Sequence, residues 1–171
     1  MLRPMEWNDV EWVRKERNKP ENRQWFRQDH LISRDEQERW FKTTRMKSFL
    51  VFEPLQDCGL EPVGVVSLSK IDPVAGKCEF SIMIVPEVRK RGFGTKALMG
   101  LLDIAFNDLN MNQVYSDVFD QNPALDTYLK MGFKVYGVLP NWYYKNGKYI
   151  NSAVISITKD EYNSLKQTFP E

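Results

Sequence analysis

Histidine and cysteine are nearly missing from this chain: one His and two Cys stand among 171 residues. Cys58 and Cys78 are isolated and lack metal-ligand spacing, so no metal site is expected. Both thiols read as reduced, in a cytoplasmic protein. An excess of charge is missing too. With 24 Lys and Arg against 23 Asp and Glu, the formal net charge is +1, which speaks against a coat for nucleic acid and against an acidic tail. No run approaches the roughly 20 apolar residues of a membrane helix, and the opening Met1-Leu2-Arg3-Pro4-Met5-Glu6-Trp7 has no apolar core of a secretory signal. Nucleic acid and membrane are therefore not expected as partners. Repeats, low-complexity tracts and long linkers are absent as well.

What is present describes a soluble globular chain: 42% hydrophobic residues, 27% charged and a high 13% aromatic. The length fits one domain over residues 1–171. Such a chain buries roughly 70% of its unfolded surface without a disulfide or metal staple.

Local patterns predict the elements in turn. Leu2 to Met5 reads as a short strand. A helix follows from Asp9, with Val10 and Val13 on one face, and ends near Asn18-Lys19-Pro20 because the residue before proline disfavours helix. Ser33-Arg34-Asp35-Glu36 reads as a capping box opening a second helix, with Trp40 and Phe41 on its buried face. Phe49–Phe52, Val63–Ser69 and Cys78–Val85 read as strands of an antiparallel meander, the last two joined through Asp72-Pro73 and Ala75-Gly76. After Gly94 the period becomes helical, with Ala97, Leu98, Leu101, Leu102, Ala105 and Phe106 in one stripe. Val114–Phe119 is a strand. Pro123–Met131 is a short helix that clusters Leu125, Tyr128 and Leu129 and stops at Gly132. Phe133–Val138 and Tyr149–Ile157 form a closing hairpin around Asn146-Gly147. The fold class is α+β, with a mixed, mostly antiparallel sheet, flanking helices in α/β/α layers and one strand–helix–strand crossover.

The segment Val88-Arg89-Lys90-Arg91-Gly92-Phe93-Gly94-Thr95-Lys96-Ala97 lies between a strand and the amphipathic helix. Glycines there let the backbone turn sharply and present N–H groups at a helix N-terminus, which suits an anion such as a pyrophosphate. Arg89, Lys90, Arg91 and Lys96 add positive charge. A phosphate-binding P-loop would end in Gly-Lys-Ser/Thr, whereas here the order is Gly94-Thr95-Lys96. Gly92, Gly94 and Ala97, with Asp117 further on, imitate a dinucleotide fingerprint; Asp117, however, sits inside its strand, and only one crossover unit is available. A basic, solvated turn is the plain alternative.

Arg89-x-x-Gly92-x-Gly94, the preceding Ile84-Val85-Pro86-Glu87 and the later Tyr128-Leu129-Lys130-Met131-Gly132-Phe133 resemble the coenzyme-A motifs of the GNAT acetyltransferase superfamily, and the order of elements resembles its fold over nearly the whole chain. Leu2-Arg3-Pro4-Met5 and the closing hairpin resemble its RimJ/RimL branch. The resemblance implies an N-acetyltransferase that moves an acetyl group from acetyl-CoA directly to a primary amine. It implies main-chain contacts from Ile82, Met83 and Ile84 to the pantetheine arm, in a slot where this strand splays from Val114–Phe119. It places the pyrophosphate on the backbone of Arg89, Lys90, Arg91, Gly92, Phe93, Gly94 and Thr95. The family's loop asparagine falls on Gln121 or Asn122; Ala124 and Tyr128 keep its spacing only if the position is Gln121. Tyr128 matches the tyrosine that protonates the departing thiolate, or else is an aromatic packed on Phe133 and Leu125.

An amine with a pKa of about 10.4 is neutral in only about one part in a thousand at pH 7, so a base is needed. Glu79 is the candidate, acting through water, with a solvated strand residue as the alternative. The acceptor is expected at the N-terminal third. The run Arg17-Asn18, Pro20-Glu21-Asn22-Arg23, Trp25-Phe26, His30, Ile32-Ser33, Glu36-Gln37 and Trp40 resembles the amino-sugar nucleotide N-acetyltransferases of the pseudaminic-acid pathway. In that reading Arg17, Arg23 and Arg27 meet a diphosphate and Trp25 stacks on a base; the alternative is a helix–loop–helix with a solvated polar face. His30 lines the acceptor site or is a surface residue. An amino-sugar nucleotide is thus the favoured acceptor, with a protein N-terminal amine and a polyamine as alternatives. A non-catalytic CoA-binding or nucleotide-binding sensor is the rival from another class. The resemblance leaves room for a homodimer.

Overall fold

The computed structural model describes residues 1–43, 47–54 and 60–168; Cys58 lies outside them. Among the described residues, seven strands make one sheet in the order β1-β2-β3-β4-β5-β7-β6. The strands are β1 (Leu2–Pro4), β2 (Lys47–Pro54), β3 (Leu60–Asp72), β4 (Lys77–Ile84), β5 (Gln113–Phe119), β6 (Lys134–Lys145) and β7 (Lys148–Thr158). The helices are α1 (Val10–Asn18), α2 (Pro20–Arg23), α3 (Arg34–Thr43), α4 (Phe93–Asp103), α5 (Ala124–Lys130) and α6 (Lys159–Thr168). This is the expected α+β class. No helix among the described residues is long and apolar enough to cross a membrane. The chain divides into two compact units, Met1–Ser69 with Ser81–Leu101, and Lys70–Phe80 with Leu102–Glu171.

In the first unit β2 pairs antiparallel with both β1 and β3. Val10 and Val13 turn one face of α1 onto Met5, Leu50 and Phe52, and Trp12, Trp40, Phe41 and Val65 cover this cluster. Helix α1 stops ahead of Pro20, as the proline predicts. The same proline then supplies the first residue of α2, where its missing N–H costs nothing, so a one-turn helix follows that the pattern did not announce. The capping box of α3 is formed: Ser33 N donates to Glu36 Oε2 at 2.7 Å and Glu36 N to Ser33 Oγ at 3.2 Å. Trp40 and Phe41 are only partly buried; Gln37, 1% exposed, is the buried residue of that helix. Gly64 of β3 is required by packing, since a Cβ there would lie 2.5 Å from the Met83 carbonyl oxygen.

In the second unit β4 pairs in parallel with β5 at Lys77–Gln113, Cys78–Val114 and Glu79–Tyr115, as a crossover connection allows. Strand β7 runs antiparallel to both β5 and β6. The helical stripe, Ala97 to Leu101 in the first unit and Leu102 to Phe106 in the second, is buried throughout, its last residues in a π-turn over Ile104–Asp108. Cys78 is fully buried, and desolvation pushes its thiol up to about 11. Helix α5 ends at Gly132, whose φ is +88°, with Phe133 N donating to Tyr128 O at 3.1 Å. Only Tyr128 of α5 is buried. Leu129, expected in its cluster, is 40% exposed, because one residue turns the helix by about 100° and carries the side chain off the short buried face. Asn146 and Gly147 both take positive φ, 49° and 80°, in the two-residue turn of the β6–β7 hairpin. Strand β6 continues well past Val138, absorbing Pro140 in a register shift between Leu139 and Tyr143.

Candidate functional site

Within the first unit, β4 delivers Met83 buried and Ile82 and Ile84 half-buried to the start of the glycine loop. Val85 N donates to Val63 O at 2.9 Å and anchors the strand end. A 3-10 turn, Pro86–Val88, leads to Arg89, and the chain then passes through Lys90 at φ +63° and Gly92 at φ +86°. A Cβ on Gly92 would meet nothing within 4 Å, so only the left-handed backbone asks for glycine there. Gly94 is different: its Cβ would lie 3.6 Å from Ile84 Cγ1 and 3.9 Å from Ile82 Cδ1, ordinary contacts. The protein itself would accept a methyl group at Gly94. Lys96 N donates to Gly92 O at 3.1 Å, which leaves the amides of Phe93, Gly94 and Thr95 as the unpaired donors of the first turn of α4. These amides and the helix dipole favour an anion.

The four cations of the loop divide into two pairs. The Arg89 guanidinium donates from Nε to Ile84 O at 3.1 Å and from Nη2 to Asn22 Oδ1 and, at 3.5 Å, to Glu21 O. Arg91 forms an ion pair with Glu53 and lies over the Phe93 ring, 5.4 Å from its centroid. Lys90 and Lys96 are exposed and form no ion pair with a described residue. One of the four charges, Arg91, is thus offset by a carboxylate, whereas Arg89 is held by neutral oxygens and keeps its charge.

The N-terminal candidates also lie in the first unit. Arg17 is partly buried, donating to Gln28 Oε1 at 3.1 Å and Gln37 Oε1 at 3.4 Å, with Phe26 and Trp40 rings 5.4 and 5.7 Å away. Burial pulls its guanidinium down to about 10. Trp25 is half-buried and Arg27 exposed. His30 is exposed, its Nδ1 3.1 Å from Asp29 Oδ1 and its Nε2 3.1 Å from Glu36 Oε1. Hydrogen bonding to Asp29 first, then to Glu36, raises its pKa. Both ring nitrogens face carboxylates, which favours the imidazolium and leaves no lone pair to accept a proton.

Within the second unit, Tyr128 is 8% exposed and stacks with Phe80 and Phe133. Its hydroxyl bonds no described residue, and burial pushes its phenol well above the usual range. Glu79 is 5% exposed, its carboxylate 3.1 Å from Lys70 Nζ; it is not the solvated strand residue of the alternative reading. Asn122 spends Oδ1 on Ala124 N at 3.0 Å, holding the start of α5, while Gln121 is exposed. Lys70 and Glu53 were not singled out by sequence, and Asn22 was named only within the N-terminal run and given no role. Lys70 and Glu79 flank the Asp72–Gly76 turn, so their pairing was available from the hairpin register; nothing local links Asn22 to Arg89 or Glu53 to Arg91.

Residues 1–134 match the family model described as an acetyltransferase (GNAT) domain. Over 169 residues the chain is 31% identical to the spermidine N(1)-acetyltransferase of Escherichia coli K12, covering 98% of this chain and 90% of that protein. A spermidine N(1)-acetyltransferase of Vibrio cholerae is 30% identical over 109 residues, 63% of either chain. The crystal structure of spermidine N-acetyltransferase from Vibrio cholerae in complex with CoA and spermine superposes with a TM-score of 0.85 at 26% identity, over 95% of this chain and 97% of that one. These relatives are spermidine acetyltransferases rather than the RimJ/RimL or pseudaminic-acid-pathway enzymes that the sequence resembles in part. The chain belongs to the GNAT acetyltransferase family, as an N-acetyltransferase that takes its acetyl group from acetyl-CoA.

Proposed function

We propose that the acceptor is a polyamine, with a primary amine of spermidine or a similar molecule receiving the acetyl group. The observation that carries this is the likeness to the Escherichia coli spermidine enzyme along 98% of the chain. The amino-sugar nucleotide reading places a diphosphate on Arg17. That guanidinium is instead engaged by Gln28, Gln37, Phe26 and Trp40, which removes one of the three arginines on which that reading relies.

The pyrophosphate of acetyl-CoA rests on the loop amides from Arg89 to Thr95, with Lys90, Lys96 and the charge that Arg89 keeps to meet it. Ile82, Met83 and Ile84 offer main chain to the pantetheine arm, and Gln121 or Asn122 adds an amide contact. Tyr128, a neutral phenol with no protein partner for its hydroxyl among the described residues, donates to the sulfur as the thiolate leaves. Glu79, held by Lys70, takes the ammonium proton of the acceptor through water. Attack by the neutral amine on the thioester carbonyl forms the C–N bond. Collapse of the tetrahedral intermediate breaks C–S, CoA leaves as the thiol with the proton from Tyr128, and the proton lost by the acetylated nitrogen returns through solvent to restore the phenol.

The test is release of CoA thiol from acetyl-CoA with spermidine, spermine, a uridine-diphosphate amino sugar and a peptide N-terminal amine. The highest kcat/KM is expected with a polyamine. Turnover confined to the amino-sugar nucleotide or to the peptide overturns the acceptor assignment.

A further inference from the structure

We propose that Asn22 is a positioning residue for acetyl-CoA, acting through the Arg89 guanidinium on the glycine loop. The proposal rests on the reading that the pyrophosphate lies on the amides of residues 89–95.

Asn22 is 2% exposed on the single turn of α2. Its Nδ2 donates to Glu16 O at 2.8 Å, in the last turn of α1, and its Oδ1 accepts from Arg89. A carbonyl can only accept and a guanidinium can only donate, so these two partners fix which end of the amide faces which. The amide is therefore a strut of defined polarity between the end of α1 and the loop. Arg89 carries the strut onward, because its Nε holds Ile84 O, the last residue of β4. One guanidinium thus ties the strand end, α2 and the loop together. A second, weaker link runs alongside, from Lys19 to Glu16 at 2.8 Å and to Glu87 at 3.9 Å.

The loop needs such a tie. Immediately after Arg89 the chain takes two left-handed residues, Lys90 and Gly92, and a lysine in that region does not hold it unaided. Gly92 has open space where a side chain would be, so packing does not fix the turn there. The strut supplies the order that the loop lacks. Without it, ordering of the amides falls on acetyl-CoA binding and weakens affinity without touching the chemistry. Arg89 thus acts first by position: its Nε and one terminal nitrogen are engaged on Ile84, Asn22 and Glu21, while its charge, held by neutral oxygens, still favours an anion at the loop.

The test is a double-mutant cycle of Asn22→Ala, Arg89→Ala and the pair. Acetyl-CoA Kd is measured by calorimetry, KM for both substrates by thiol release, and Tm by melting. Each single variant is expected to weaken acetyl-CoA roughly tenfold, the worth of a charge-assisted hydrogen bond. The double variant is expected to be no worse than either, with kcat and acceptor KM unchanged. Additive losses, or equal losses in both KM values, overturn the proposal, because they mean that Asn22 serves only the packing of α1 and α2. Asn22→Asp separates the roles further: it keeps the acceptor for Arg89 and loses the donor to Glu16, so acetyl-CoA affinity should fall less than in Arg89→Ala while Tm falls. A loss of affinity as large as that of Arg89→Ala in that variant overturns the proposal even if Asn22→Ala does not fold. Failure of the underlying site assignment shows itself separately, as an unchanged acetyl-CoA Kd in Gly94→Ala.

Discussion

Tyr128 meets Phe80 edge to face, with ring centroids 5.3 Å apart and planes at 82°. The ring is held by aromatic packing on Phe80 and Phe133, while the hydroxyl adds no bond to a described residue. Ring and hydroxyl can therefore be separated by experiment. Tyr128→Phe keeps the stack, so Tm should stay within a degree or two. If the hydroxyl is the acid, kcat falls by about 10²–10⁴. Because burial keeps the phenol protonated well into the alkaline range, the pH profile should drop in height without a shift of its neutral limb. A variant that retains most of its kcat when chemistry limits the rate removes Tyr128 from the mechanism.

The two loop glycines should respond differently. Gly94→Ala adds a methyl group that the protein accommodates in ordinary contact, so the fold should be as stable as wild type and acetyl-CoA binding weaker. Gly92→Ala meets no atom, yet holds alanine at φ +86°, a strain of about 1–2 kcal/mol. Thermal melts should show the loss for Gly92→Ala alone, and calorimetry should show weaker acetyl-CoA binding for both.

Lys90→Gln and Lys96→Gln should each weaken acetyl-CoA several-fold at low salt. The difference should shrink toward 1 M salt, where the screening length is about 3 Å. Arg91→Gln should matter less, since Glu53 already offsets that charge. Kd measured across a salt series checks the order; an Arg91 effect larger than the lysine effects would contradict it.

Arg17 is expected to behave as a packed residue. Arg17→Met leaves Gln28 and Gln37 oxygens without their donor and should cost about 1–3 kcal/mol of stability, with little change in acceptor KM. Trp25→Ala should do the reverse, raising acceptor KM more than it lowers Tm. Denaturant unfolding and steady-state kinetics on the two variants separate these roles.

His30 is the chain's one histidine, so its titration can be followed by NMR without assignment. Its pKa should lie above the usual 6.5, raised by Asp29 and Glu36, and Glu36→Gln should lower it. The sign follows from the raised value. The stabilising charge is fully present below about pH 6.5 and is lost as pH rises through the folded-state pKa. Glu36 works in the opposite sense: its pKa is lowered by the Ser33 backbone and hydroxyl, so its contribution is lost as pH falls through the folded value. The start of α3 is best held in the mildly acidic window between the two, and His30→Gln should flatten the upper edge of that window.

How legible each part was depended on how local its cause is. The capping box at Ser33, the stripe from Ala97 to Phe106, the Asn146-Gly147 turn and the glycine loop each have their cause within a few residues, and each is found where the pattern puts it. Pro20 was read only as a stop, although proline also opens helices; α2 and Asn22 lay behind that ambiguity. Thr158-Lys159-Asp160-Glu161 carried a capping signature for α6, with Thr158 N donating to Glu161 Oε2 at 2.8 Å, which went unread beside the strand pattern. Pro140 hid the second half of β6. The burial of Arg17 could not be read from α1, because its partners Gln28, Gln37, Phe26 and Trp40 come from distant sequence. For the same reason the glycine loop was legible as backbone but not as charge, since Asn22 and Glu53 reach it from elsewhere in the chain.

The β6–β7 hairpin also sets an order of assembly. Its two strands are joined by two residues in the geometry their twist prefers, so closure costs little chain entropy and belongs to the microsecond range. Strand β1, three residues long, finds Val51, Leu50 and Phe49 only after the intervening α1 to α3 segment has been gathered in. The hairpin is therefore expected to close before β1 docks. The same ranking governs fraying in the native state: amides of Leu2 and Arg3 should exchange with solvent long before those of Ala153 to Ile157, which lie in a strand paired on both sides.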